Sequence, residues 1–151
     1  MQPTKDLLAF RFFTEIGIIE QLARNQLEAS LPDGIKMAQF VVLNHLVRLG
    51  DETGEWAPAR LANALQVTKG AMTNTLQRLE KRQLVSITPD PHDGRGKLVE
   101  ITSAGREMRL RCVSSITPFL TTLSKEVSER ELASVLPVLE KVREYLDLQR
   151  S

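Results

Sequence analysis

The chain has 151 residues, long enough for one domain, and its 42% apolar content can support a packed core. Its formal net charge of +1 points to no partner by itself, and the single Cys112 excludes an internal disulfide. No run approaches the ~18 consecutive apolar residues of a membrane span, and the N-terminus lacks an export pattern, so a cytoplasmic chain without a membrane partner is expected.

The first predicted element is a long helix from Leu7 to about Leu31. Leu8, Phe12, Ile16, Ile19, Ala23 and Leu27 recur at spacings of three and four and share one face. Phe10, Phe13 and Ile18 lie off that stripe, so the helix carries more apolar surface than one contact needs. Either the chain's own core or a second subunit must cover it. Pro32-Asp33-Gly34 then makes a turn. The next helix, Lys36 to Leu49, is apolar nearly all round and should be buried on most sides, with Asn44 and His45 requiring polar partners. Gly50 to Gly54 reads as a polar turn, and Glu55-Trp56 suits a short edge strand.

Pro58 fits the first position of a third helix, whose inner face is Leu61, Ala62 and Leu65. Gln66-Val67-Thr68 makes a turn, and Thr68 is placed to cap the helix that follows, Lys69 to Arg82. On that helix Met72, Leu76 and Leu79 define a buried side. The opposite face holds Gly70, Asn74, Gln77 and Lys81, flanked by Thr73 and Arg78. Gly70 allows a phosphate backbone close to the N-terminal N–H groups, and the amides of Asn74 and Gln77 can pair with adenine in a major groove. Such a face alone would be ordinary solvated surface. As the second helix of a helix-turn-helix, it points to double-stranded DNA.

Two β-prone runs follow, Leu84 to Thr88 and Leu98 to Thr102, with Pro89 to Lys97 turning the chain between them. Gly94 and Gly96 flank Arg95 on a slim tip that can enter a narrow minor groove, and Asp93 is close enough to pair with Arg95 and direct it. Helix, turn, helix, hairpin is the order of a winged helix-turn-helix. Charge follows the same division. Residues 1–57 carry 5 basic and 8 acidic side chains, residues 58–102 carry 7 and 4, and residues 103–151 carry 8 and 7. The modest positive excess sits in the winged segment.

Thr102 should cap a long helix from Ser103 to about Ser124, kinked or broken near Pro118. Ser128-Glu129-Arg130-Glu131 has capping-box spacing and opens the last helix. There Leu132, Val135, Leu139, Val142 and Leu146 form the seam of a helix pair, with a local bend at Pro137. A dimer seam built from both chain ends is the favoured reading over packing within one chain. His45, His92 and Cys112 are scattered over a helix, a loop and another helix. With no metal, nucleophile or phosphate-loop motif present, neither catalysis nor a metal or cofactor is expected.

The run Gly70 to Val85 (GAMTNTLQRLEKRQLV), the wing Asp90 to Lys97 (DPHDGRGK) and Ile101-Thr102-Ser103-Ala104-Gly105 closely resemble the MarR family of bacterial regulators, along essentially the full chain. The resemblance implies a mostly α fold with a small β-hairpin wing, forming one MarR-type domain over residues 1–151. Within it lie a DNA-binding lobe at 36–102 and a helical dimerisation region at 1–31 and 103–151. It implies a homodimer that represses or activates through a pseudo-palindromic operator, with a repressor the favoured reading, relieved in many members by small aromatic or phenolic compounds. By position, Thr68, Lys69, Gly70, Thr73, Asn74, Gln77 and Arg78 would face the major groove or its phosphates. Arg95 would enter the minor groove with Asp93 in support and Lys97 near the backbone. An effector pocket would lie among the first, second and fifth helices, where Phe13, Asn44, His45, Met108 and Cys112 are candidates, and Cys112 is a possible redox switch. Two positions depart from the family. Gln83 stands where a glycine commonly ends the recognition helix, and Asn74 where a basic residue is frequent. The alternative reading is a winged helix that binds another protein without an operator.

Overall fold

The computed structural model describes residues 3–49 and 56–150. They form α1 (Pro3–Ser30), α2 (Met37–Leu49), α3 (Pro58–Ala64), α4 (Lys69–Lys81), β1 (Val85–Asp90), β2 (Asp93–Ile101), α5 (Ser103–Glu126) and α6 (Glu129–Leu148). The order is the expected one, mostly α with one antiparallel hairpin. The polar turn at 50–54 and Glu55 lie outside the described residues. The chain divides into two compact units, residues 1–116 and 117–151.

In the first unit the core gathers one face of each short element. Phe40, Val42, Leu43 and Leu46 come from α2, Leu61 and Ala62 from α3, and Met72, Leu76 and Leu79 from α4. Leu84, Val85 and Val99 enter from the hairpin and Met108 and Cys112 from α5. Leu43, Leu61 and Leu79 are fully enclosed, and each such side chain contributes roughly 2–3 kcal/mol of transfer free energy. Helix ends follow the local sequence. Pro58 opens α3, and the Thr68 hydroxyl accepts from the Ala71 N–H at 3.1 Å to cap α4.

The exit of α4 is tight. Leu84 N–H donates to the Leu79 carbonyl and Gln83 N–H to the Glu80 carbonyl, which is the full Schellman pattern. Gln83 takes the left-handed position with φ 59°, at a strain of about 1 kcal/mol that glycine would avoid. Leu79 and Leu84, which such a motif brings together, are both buried.

The hairpin is longer and its turn shorter than expected. Pairing runs from Val85 with Ile101 to Pro89 with Lys97, then slips so that Asp90 faces Asp93. Gly94, Arg95 and Gly96 therefore form a bulge within β2, not an open loop. Asp90 accepts from the N–H of His92 (2.8 Å) and Asp93 from that of Arg95 (3.1 Å), and these two turns shape the tip. Trp56 adds a bridge to Val99 through two backbone hydrogen bonds of 3.0 and 2.7 Å. Of the edge strand expected at Glu55-Trp56, the described residues show this single bridge at Trp56.

Thr102 caps α5, its hydroxyl accepting from the Gly105 N–H at 3.0 Å. The break considered at Pro118 does not occur. α5 is continuous to Glu126, since proline removes one ladder donor from a long helix and the rest of the ladder persists. In the second unit Ser128 and Glu131 form both bonds of the capping box, and α6 likewise continues through Pro137. No α6 side chain is buried.

Gly105 is required by a close approach. A Cβ there would stand 2.0 Å from the Leu84 carbonyl oxygen, and backbone cannot move aside as a side-chain end can. At Gly70 a Cβ would meet nothing within 4 Å. Gly105→Ala should therefore cost about 2 kcal/mol or more, whereas Gly70→Ala should gain roughly 0.5–1 kcal/mol from helix propensity. Urea unfolding midpoints of the two variants measure both, and equal shifts would contradict this reading of the junction.

Candidate nucleic-acid interface

The outer face of α4 is open along its length. Met72, Leu76 and Leu79 are buried beneath it, while Lys69, Gly70, Thr73, Asn74, Gln77 and Arg78 are exposed. Thr68 and Thr73 have hydrogen bonds within the helix: Thr68 as the cap, and Thr73 donating to the Lys69 carbonyl at 2.9 Å. The space free of atoms above Gly70 leaves the first turn of α4 accessible to a phosphate.

Between α4 and the wing runs an open cleft of about 440 Å³. Thr73, Gln77 and Glu80 line it from the helix, Arg95 and Lys97 from the bulged strand. The helix face and the wing tip thus open onto one space, with both wing cations on its border. Asp93 pairs with Arg95 through the backbone. Its carboxylate accepts from the Arg95 N–H, so what it fixes is the fold of the tip. Glu80 joins this lining without being a sequence candidate, and the spacing 73–77–80 is the signal that puts it on the same helical face.

The five effector candidates are dispersed. Phe13 is exposed on α1, Met108 and Cys112 belong to the core, and Asn44 accepts from the Arg109 guanidinium at 3.1 Å. His45 lies edge-on to Trp56, ring centroids 4.8 Å apart, and Arg60 stacks on the same indole at 4.3 Å. His45 Nε2 and Trp56 Nε1 are buried without a hydrogen-bond partner. A second cavity of about 180 Å³ lies behind α4, walled by Met37, Val42, Val67, Met72 and Thr75 with Arg24 at its edge. None of the five candidates lines either cavity. Burial pushes the Cys112 thiol above its ordinary range, with Arg111 and Arg82 opposing weakly. That works against the thiolate a redox switch would need.

A family model for the MarR family matches residues 33–96. The chain is 34% identical to the multiple antibiotic resistance protein MarR of Escherichia coli K12 over 112 residues, spanning 74% of this chain and 75% of that protein. The chain belongs to the MarR family. It is 29% identical to the transcriptional activatory protein BadR of Rhodopseudomonas palustris, over 67% of this chain and 55% of BadR. The crystal structure of a cysteine-to-serine mutant of E. coli MarR with operator DNA superposes with a TM-score of 0.76 at 29% identity, covering 87% of this chain and 93% of that one. MarR proteins are transcription regulators and not enzymes, in keeping with the absence of a catalytic motif from the sequence.

His45 gives this lobe a pH dependence. Desolvation first, then Arg48 and Arg60, lower its folded pKa below the unfolded value near 6.5. The unfolded chain therefore binds the proton first as pH falls, and stability declines through about pH 6.5 toward the lower folded pKa. Above about pH 7.5 both states are neutral and the effect vanishes. His45→Phe keeps a ring against Trp56 and should flatten this decline in urea midpoints between pH 7.5 and 5.5. Parallel profiles for the two proteins would contradict it.

Proposed function

We propose that this MarR-family chain is a homodimeric, sequence-specific DNA-binding regulator of the cytoplasm that represses by occupying a pseudo-palindromic operator. The observation that carries this reading is the shared cleft, where the polar face of α4 and the cations of the wing converge. In the proposed docking, residues 36–102 form the DNA lobe. Lys69, Gly70 and Arg78 meet phosphates beside the amides of Asn74 and Gln77 in the major groove. Thr68 and Thr73 support the first turn of α4 there. Arg95 follows the minor groove, Asp93 shapes its tip and Lys97 lies along the backbone.

Residues 1–31 and 103–151 supply the dimer. On α1, Leu8, Phe10, Ile19 and Leu22 are 60% or more exposed, and on α6 Leu132, Val135, Leu136 and Val138 are exposed by 44–52%. Apolar patches of this extent are covered in a soluble protein, and a two-fold partner covers them with the same surface. Occupancy of an operator supports repression. BadR, named an activator, supports the opposite sign, and a reporter placed downstream of the operator separates the two. A small aromatic or phenolic acid is the proposed effector. The apolar cavity behind Met72, with Arg24 at its edge, suits it better than the dispersed set of Phe13, Asn44, His45, Met108 and Cys112.

With a duplex that the protein itself selects, Arg95→Ala should weaken binding roughly tenfold with an unchanged fold, the expectation for one lost groove contact of 1–3 kcal/mol. Lys69→Gln should lower the slope of log affinity against log salt by about 0.9. Fluorescence anisotropy from low to physiological salt measures both. A protein-binding winged helix would instead show no specific, salt-sensitive complex.

A further inference from the structure

Helix α4 ends and helix α5 begins on one side chain. The Thr102 hydroxyl donates to the Gln83 carbonyl at 2.7 Å and accepts from the Gly105 N–H at 3.0 Å. The Thr102 backbone N–H donates to the Leu84 carbonyl at 3.1 Å. Two successive carbonyls at the exit of α4, those of Gln83 and Leu84, are therefore held by one residue far along the chain. One of them belongs to Gln83, the left-handed residue that glycine would satisfy without strain.

We propose that Thr102 is a positioning residue for DNA recognition, its hydroxyl locking the strained Gln83 cap so that α4 and the wing keep a fixed separation. A non-glycine residue at positive φ relaxes readily to negative φ, which swings its carbonyl and breaks the Leu84 to Leu79 hydrogen bond. A partner on the Gln83 carbonyl opposes that swing. Since β1 starts at Val85, two residues on, the same lock sets where the wing departs from α4. The cleft bordered by Gln77 and Arg95 is thus referenced to the first turn of α5. Thr102 touches no DNA in this account, so it adds no charge and alters no phosphate contact. It acts on the fit to one sequence more than on general affinity. The inference rests on the proposed role of α4 and the wing in binding DNA.

The test uses the full chain with Thr102→Val and Thr102→Ser, alone and combined with Gln83→Gly. Two duplexes are titrated, one selected by the wild-type protein and one of random sequence. Thr102→Val should lower the preference for the selected duplex roughly five- to tenfold, the size of one net hydrogen bond. Random-sequence affinity and the salt slope should hold. Thr102→Ser should restore the preference to within about twofold, because the hydroxyl is kept. With Gln83→Gly present the cap needs no lock, and Thr102→Val should cost about twofold or less. Equal losses in both backgrounds, or none in either, would overturn the proposal. A Thr102→Val chain that folds only with Gln83→Gly supports it, and one that folds in neither background overturns it. If the wild type selects no duplex, the DNA reading fails by itself. Amide exchange then decides the lock: faster exchange at Gln83 and Leu84 in Thr102→Val, with Leu43 and Val99 unchanged, supports it, and unchanged exchange overturns it.

Discussion

At the meeting of α4, β1 and α5, backbone approaches backbone with no room for a methyl group. The Cα of Gly105 lies against the Leu84 carbonyl, which also accepts the Thr102 N–H. The Schellman turn at Gln83 and the capped start of α5 converge on this contact, and the hairpin departs from it. A packed side chain could tolerate some slack here, but a carbonyl in contact with a Cα cannot. The exit of α4 and the origin of the wing thus meet at one junction.

That rigidity gives the exposed residues their meaning. Gln77 and Thr73 on α4 and Arg95 and Lys97 on β2 are far apart in sequence and border the same cleft. The cations among them are not engaged by the core, so they remain available to phosphate and to the negative potential of a minor groove. The Trp56 bridge to Val99 secures the other side of the hairpin, with Arg60 stacked above the indole. The wing is therefore a two-stranded hairpin, joined by one bridge to Trp56, with a bulged, cationic end whose bulge carries Arg95 out of the ladder.

The helices were legible because their periodicity and caps are local signals. Thr68, Ser128 and Thr102 each announced a helix start, and Met72, Leu76 and Leu79 announced the buried side of α4. What stayed hidden depends on contacts between distant segments. The pairing of Asp90 with Asp93 shortens a turn that the proline and glycine content made look long. Gly105 looked like one letter of a family motif, and only its distance to Leu84 shows why it must be glycine. The sequence places Asp93 next to Arg95, and only the structure shows that the hydrogen bond between them is to the backbone N–H. The effector candidates follow from the pocket that the family resemblance implies, and the enclosure of Cys112 and Met108 depends on how α5 packs on the core, which no local pattern reveals.

The central claim is that α4 and the wing read DNA as a two-fold pair. Selection of bound duplexes from a random pool by the wild-type chain tests it most directly. Enrichment of an inverted repeat is expected, with half-sites about one helical turn apart, roughly 10 base pairs centre to centre. Recovery of unenriched sequence, or of a motif without two-fold symmetry, would contradict it.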